Sequence, residues 1–309
     1  MENVIIIGSG PAGLSAAIYC AREGFSPLVV AGSVPGGQLL LTTTVENMPG
    51  FPEGIEGPAL IELLRKQAEK FGARFIQEDA KDVDFASRPF KVYTESGLYE
   101  AKTIIIATGA NPKMLGISSE SKFVGKGLST CATCDGPLFK NSKNLVVVGG
   151  GDTAMEDSLF LTRFSESVTI VHRRDSFRAS KVMQERVLNN KKIKVEWNSV
   201  VEEILGDEHV KGVRIRNVAS GQTKDIDANG VFLAIGHEPN TKIFKGKLDL
   251  DEEGYIITKE EVLTGIEGVF VAGDVADKKY RQAGTAAGSG IKAALMVREY
   301  FQKEAKMGP

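Results

Sequence analysis

Apolar positions along this chain fall into two kinds of run. The first is short, continuous and β-branched: Val4-Ile5-Ile6-Ile7, Ile104-Ile105-Ile106 and Leu145-Val146-Val147-Val148. A strand that is apolar at every position is buried on both faces, as in a parallel sheet covered on both sides. The second kind recurs at helical spacing. Leu14, Ala17, Ile18 and Ala21 form one stripe closed by Gly24; Leu60, Leu63, Leu64, Ala68 and Phe71 form another over 57–72, all of it expected in a core. Strands are predicted over 3–8, 27–30, around Phe75 and Val83, over 90–92, around Leu98, and over 103–107, 144–148, 168–171, 193–195, 200–204, 210–215, 230–235 and 268–271. Further helices are predicted over 155–161 and 284–300. Residues 33–52 read as a polar, glycine-rich loop, long for a connection inside a domain.

Two of the buried strands run into glycine turns that open helices. Gly8-Ser9-Gly10-Pro11-Ala12-Gly13 follows the first, and Gly149-Gly150-Gly151-Asp152-Thr153-Ala154 follows 144–148. Strand, G-x-G-x-x-G/A turn and helix together make a dinucleotide site. Gly8 permits the tight turn, Gly10 lets a pyrophosphate approach the backbone, and Gly13 lets helix and strand pack closely. Each helix N-terminus then turns free N–H groups toward phosphates. Two such units imply two nucleotides. After the first, Val29-Val30-Ala31-Gly32 offers no acid for a ribose, which leaves that site open to another dinucleotide such as FAD. After the second, where ribose recognition falls, stands His172-Arg173-Arg174-Asp175-Ser176-Phe177-Arg178. Arginines there match a 2′-phosphate, whose oxygens suit the guanidinium fork, and select NADPH over NADH.

Composition narrows the class. Lys+Arg 38 against Asp+Glu 40 gives a net charge of -2, so no basic field points to nucleic acid or a membrane surface. No apolar run approaches the ~20 residues of a membrane span, and Met1-Glu2-Asn3 has no basic lead-in to a secretory signal. Three cysteines argue against a secreted disulfide scaffold and for a cytoplasmic setting. Two of them stand in Cys131-Ala132-Thr133-Cys134-Asp135, an offset at which one turn of backbone brings two sulfurs to bonding distance. Asp135 has two uses open to it: a general acid/base beside the thiols, or an N-cap before Gly136-Pro137. Asp274, at the end of the strand over 268–271, is either an acceptor for a ribityl or ribose hydroxyl or a turn residue. Cys20, in the first helix, reads as an inert buried thiol. His172, His209 and His237 show no ligand-like spacing, and no metal is expected.

In order along the chain stand GSGPAG (8–13), PGGQL (35–39), IIIATGA (104–110), CATCD (131–135), GGGDTA (149–154), HRRDSFRA (172–179), AIGHEPN (234–240), VFVAGDV (269–275) and RQAGTAAG (281–288). This set closely resembles the low-molecular-weight, bacterial-type thioredoxin reductases, NADPH-dependent flavoprotein disulfide reductases, over essentially the whole chain. The resemblance implies an α/β fold of two Rossmann-like nucleotide-binding domains of three-layer ββα type. A discontinuous FAD domain, 1–113 and 245–309, would receive an inserted NADPH domain, 114–244, that carries the cysteine pair.

It implies FAD contacts from Gly8, Gly10, Pro11, Ala12, Gly13, Gly37, Gln38, Leu39, Asn47, Val83, Ala107, Thr108, Gly109, Gly273, Asp274, Arg281, Gln282 and Ala283. NADPH contacts would come from Gly151, Asp152, Thr153, Ala154, His172, Arg173, Arg174 and Arg178. Two electrons would pass from NADPH through FAD and Cys131–Cys134 to the disulfide of thioredoxin, with Cys134 facing the flavin, Cys131 attacking the partner and Asp135 moving the proton. The family is typically homodimeric and has no separate C-terminal dimerisation domain. Because one flavin cannot offer the same space to nicotinamide and dithiol at once, the inserted domain is expected to rotate on connections near 111–116 and 234–240. Two residues depart from the pattern: Asp152 stands where Asn is common, and Met48 replaces an aromatic. A carboxylate at 152 would repel a pyrophosphate unless it caps the helix facing away. The competing readings are a dithiol oxidase of the same fold, disfavoured by Arg173, Arg174 and Arg178, and a redox-sensing flavoprotein without turnover.

Overall fold

The computed structural model describes residues 1–42 and 44–307; Thr43, in the predicted loop, and Gly308 and Pro309, at the end of the predicted third segment, lie outside the described residues. The chain forms two compact units, Met1–Asn111 with Glu238–Pro309, and Pro112–His237. The resemblance places the divisions slightly further along, at 113 and 244. The two connections carry short paired strands, Ala110–Pro112 and His237–Pro239.

The first unit is built on Glu2–Ile7, which pairs in parallel with Leu28–Val30 on one side and with Leu98–Ile106 on the other. Its continuous apolar run is explained by two cores. Val4 and Ile6 face Ala16, Ala17 and Cys20 of the helix Pro11–Arg22 and Ala293, Ala294 and Val297 of the helix Ala283–Met307. Ile5 and Ile7 face the other way, into Phe85, Phe90, Val92 and Phe244. The elements predicted around Leu98 and over 103–107 are one strand of nine residues. Its first half pairs antiparallel with Phe90–Tyr93, and its second half pairs parallel with Val269–Val271. That fork separates a small antiparallel layer from the parallel sheet and gives the three-layer ββα arrangement.

The helix Gly57–Lys70 corrects the predicted stripe. Leu60, Ile61 and Ala68 are buried, whereas Leu63 is 50% exposed and Phe71 39% exposed. At about 100° per residue Leu60, Ile61, Leu64 and Ala68 close on one face, and Leu63 falls off its edge. Phe71 stands beyond the last helical residue and lies under the Arg22 guanidinium at 5.6 Å.

The second unit repeats the scheme. Five parallel strands run in the order Leu128–Ser129, Gly230–Ala234, Ser142–Gly149, Ser165–Val171, Ile193–Glu196. Leu145, Val147, Val168 and Ile170 pack on Ala154, Met155 and Leu161 of the helix Asp152–Leu161. Val146, Val148 and Val171 pack on Val201, Ile204, Val213 and Ile215 of a three-stranded antiparallel sheet. A helix at Lys181–Leu188 and a strand at Thr223–Asp227 are additional to the predicted elements.

Candidate functional site

Three groups of residues carry chemistry. The first is Cys131–Cys134 in the second unit, which form a disulfide with their Cα atoms 5.3 Å apart. Cys131 caps the short helix Ala132–Asp135, and Ala132 anchors that turn in the core. The Cys134 N–H donates to Cys131 Sγ at 3.2 Å, and Thr133 Oγ1 lies 3.4 Å from the same sulfur. A hydrogen bond to sulfur favours its charged form once the bond is opened. The Cys131 N–H in turn donates to Ser129 Oγ at 3.0 Å, fixing the residue ahead of the pair. Burial raises the Asp135 carboxyl above its ordinary value, against the opposing pull of a hydrogen bond from Ser129. Asp135 makes no side-chain cap to the following turn, Gly136–Phe139, so the capping use is not realised. Cys20 is buried, and burial, with the Glu23 charge added, pushes its thiol up to about 12.

The second group is the glycine turn of the second unit. Gly149 leads out of the strand; a Cβ there would sit 2.5 Å from Ala234 O and 2.8 Å from Ala154 Cβ, so glycine and alanine let strand and helix close. At Gly150 a Cβ would lie 2.2 Å from the His172 imidazole. Gly151 faces open space, as close backbone approach to a phosphate requires. Thr153 follows as the second residue of the helix Asp152–Leu161. Asp152 does not point at empty solvent: its Oδ1 accepts from the Ser180 N–H at 3.0 Å and the Ser180 hydroxyl at 2.8 Å. His172 is buried beside Phe177 and Trp197, with Nε2 3.0 Å from Ser176 O. Burial first, then the charges of Arg174 and Arg178, hold its imidazole below the ordinary value. Arg173, Arg174 and Arg178 are exposed, and their side chains make no hydrogen bond or ion pair among the described residues. Three exposed guanidiniums on one loop concentrate positive charge of the kind that suits an anion.

The third group lines a cavity of about 700 Å³ in the first unit. Its wall brings together Gly8, Gly10, Pro11 and Ala12; Gly37, Gln38 and Leu39; Ala107, Thr108 and Gly109; and Asp274, Arg281, Gln282 and Ala283. The other residues implied by the resemblance do not line that cavity. Gly13 and Gly273 are packing positions, where a Cβ would meet Gly8 O at 2.1 Å and Ala12 Cβ at 2.9 Å. Asn47 donates to Gln282 Oε1 at 3.0 Å, and Val83 is fully buried in the core. Gly10 faces open space. Asp274 Oδ1 is buried without a hydrogen-bond partner among the described residues, and burial, with Asp277 adding to it and Arg281 opposing, pushes the carboxyl up to about 6. The turn role falls instead to Asp277, which accepts the N–H groups of Lys279 and Tyr280. A buried acceptor on a cavity wall suits a ligand hydroxyl.

Part of this wall carries no motif in the sequence. Ser9 donates to Ala31 O at 2.6 Å and accepts from Gly36 N at 3.0 Å, pinning the loop 33–41 to the glycine turn. Asp79 lines the cavity and accepts the Ser33 N–H at 2.9 Å. Asn111 and Asn240 join in a chain of amides: Gln38 donates to Asn111 at 2.8 Å, and Asn111 to Asn240 at 3.1 Å.

Among the described residues, no helix is long and apolar enough to cross a membrane, and no group of His, Cys, Asp and Glu side chains is placed to hold a metal.

Known proteins share this arrangement. The family model for pyridine nucleotide-disulphide oxidoreductases matches residues 2–290. A thioredoxin reductase of Rickettsia felis is 53% identical over 306 residues, covering 97% of this chain and 98% of the relative. Thioredoxin reductase 2 of Arabidopsis thaliana is 50% identical over 97% of this chain and 82% of its own length. The crystal structure of thioredoxin reductase from Streptococcus pyogenes superposes with a TM-score of 0.93 at 42% identity, covering 98% of this chain and 99% of that one. With its disulfide, its two glycine turns and its likeness over nearly the full length, the chain belongs to the pyridine nucleotide-disulphide oxidoreductase family, among the thioredoxin reductases.

Proposed function

We propose that the chain is an NADPH-dependent thioredoxin-disulfide reductase that holds FAD in the cavity of the first unit and NADPH at the arginine-bearing turn of the second. The observation that carries this reading is the disulfide Cys131–Cys134, with the raised carboxyl of Asp135 next in sequence, in the same compact unit as three arginines that have no side-chain partner among the described residues. The residues of the cavity suit a flavin dinucleotide: Gly10 leaves room for a pyrophosphate, the helix Pro11–Arg22 would turn its N–H groups toward it, and the buried Asp274 oxygen would accept from a hydroxyl. Bound there, a flavin supplies the two-electron link between a nicotinamide and a disulfide.

The chain's own residues do the rest. Opening the disulfide takes two electrons and two protons and yields two thiols. Cys131, as thiolate, attacks one sulfur of the thioredoxin disulfide and forms a mixed disulfide; the sulfur that leaves takes a proton. Cys134 then attacks Cys131, which restores the Cys131–Cys134 bond and releases the second thiol of the partner. Asp135, kept protonated to higher pH than an ordinary carboxyl, holds the proton that the departing thiolates need. Because the cysteine pair and the arginine turn share one unit, that unit presents them in turn by moving on the connections at 110–112 and 237–239. A homodimer in the cytoplasm completes the reading.

An NADPH-oxidation assay with thioredoxin, run beside Cys131→Ser and Cys134→Ser, tests it. Turnover in the wild type and loss in both variants is expected. Full activity in both variants would place the chemistry elsewhere, and a preparation that takes up no flavin would remove the cofactor assignment.

A further inference from the structure

Asp152 puts a carboxylate at the first position of the helix whose N-terminus is read as the pyrophosphate site. The structure shows what occupies it. Its Oδ1 takes both the N–H and the hydroxyl of Ser180. Ser180 precedes the helix Lys181–Leu188 and ends the segment that starts with the arginines. Two further links join the same two segments. The Arg178 N–H donates to Gly150 O at 2.8 Å, and the His172 ring fills the place a side chain at Gly150 would take. At its other side the loop is tied by Asn198 N–H to Arg174 O at 3.0 Å. The arginine side chains have no partners of their own among the described residues. Their aim toward a nucleotide is therefore set by the backbone that these links hold.

We propose that Asp152 is a positioning residue that determines nucleotide specificity: its bonds to Ser180 set the arginine loop against the glycine turn, so recognition of a 2′-phosphate depends on it, while its negative charge loosens the hold on the pyrophosphate. This rests on the reading of residues 149–178 as the NADPH site. The two effects separate by substitution. Asp152→Asn keeps an oxygen acceptor for Ser180 and removes the charge. Asp152→Ala removes both. Ser180→Ala removes the 2.8 Å hydroxyl bond and keeps the N–H.

The test is calorimetric titration of the flavin-loaded protein with NADP⁺, NAD⁺ and 2′-AMP, the last carrying the 2′-phosphate without a pyrophosphate. Asp152→Asn should bind NADP⁺ and NAD⁺ each roughly 3- to 10-fold more tightly, the scale of one like-charge contact in a solvated site. Its preference for NADP⁺ over NAD⁺ and its hold on 2′-AMP should stay as in the wild type. Asp152→Ala should bind 2′-AMP about 10-fold more weakly and lose preference for NADP⁺ by the same factor, with Ser180→Ala between them, on the scale of one or two hydrogen bonds. Wild-type binding of 2′-AMP by both alanine variants overturns the positioning role, as does a parallel loss for all three probes. Unchanged dinucleotide affinity in Asp152→Asn overturns the charge effect. A wild type that shows no preference for NADP⁺ over NAD⁺ instead removes the NADPH reading itself.

Discussion

A methyl group on Gly13 would lie 2.1 Å from the carbonyl oxygen of Gly8, backbone against backbone. Gly10, between them in the same turn, meets nothing within 4 Å and has an extended backbone at φ -72, ψ -176 that any residue adopts. One turn therefore holds glycines kept for opposite reasons. Gly13→Ala should destabilise the protein by about 2 kcal/mol or more, because neither backbone can yield without moving strand from helix. Gly10→Ala should melt as the wild type does when cofactor-free, yet retain little flavin. Thermal melting with and without added FAD separates the two, and equal behaviour of the variants would remove the distinction.

Asp274 gives a pH dependence whose sign follows from its burial. Its folded value of about 6 stands above the ordinary 3.8. A carboxyl raised in this way contributes nothing unfavourable below about 4, and a growing deficit as pH rises from there to about 6, reaching on the order of 3 kcal/mol by the linkage relation. Hydroxyl donors on the lone oxygen would relieve that deficit. The cofactor-free protein should thus lose stability relative to Asp274→Asn between pH 4 and 6, and flavin affinity should rise with pH across the same window. Urea melts and flavin titrations at pH 4.5, 6 and 7.5 check both; a flat difference between wild type and Asp274→Asn would refute the assignment.

The sheets and both glycine turns were legible because buried parallel strands such as Val4–Ile7 and Leu145–Val148 are apolar at every position, which few other elements are. The helix Lys181–Leu188 was not, because Val182 and Leu188 are more than half exposed and only Val187 is fully buried, which leaves no stripe to read. The strand Thr223–Asp227 is an edge made of Thr-Lys-Asp-Ile-Asp, held partly by Asp225 on Arg214, and polar edges carry no period. In the candidate sites, the cysteine pair and the proposed nucleotide-binding arginines stand out as local motifs. Asp79, Asn111 and Asn240 were not, since each reaches the cavity through pairing between segments far apart in the chain. Ser180 was missed for the same reason, although it answers the question that Asp152 raised.

Arg173 and Arg174 should act on one phosphate only. Both are exposed, and neither side chain has a hydrogen bond or ion pair among the described residues, so their removal should leave melting unchanged. Replacing both with Ala should raise KM for NADPH by about 100-fold, on the scale of two charge-assisted contacts of ~1.5 kcal/mol each. KM for NADH should change little. The wild-type KM for NADPH should climb with salt and that of the variant should not, because exposed charges are screened within about 10 Å at 0.1 M. Steady-state kinetics with both nucleotides at two ionic strengths decide this, and a parallel rise for NADPH and NADH would show a general loss of the site.

Asp135 should set stability against rate. Burial raises its pKa from the ordinary 3.8, so ionisation in the folded protein is disfavoured, and the deficit grows as pH rises above that value. Asp135→Asn, which cannot ionise, should therefore be the more stable protein at neutral pH. It should also be slower: without the acid, the exchange between the Cys131–Cys134 dithiol and thioredoxin should fall by roughly 100-fold, the lower range for a positioned proton donor. Reduction of bound flavin by NADPH involves neither thiol and should keep its rate. The pH profile adds a sign that a packing defect would not give. The ratio of wild-type to variant exchange rates should be largest where the carboxyl is protonated and should shrink as pH rises through its raised pKa. Stopped-flow traces of the two half-reactions between pH 5 and 9, beside urea melts of both proteins, carry the test. A variant that is less stable, or slow in both half-reactions, would make Asp135 a structural residue of the turn rather than the proton donor for the cysteine pair.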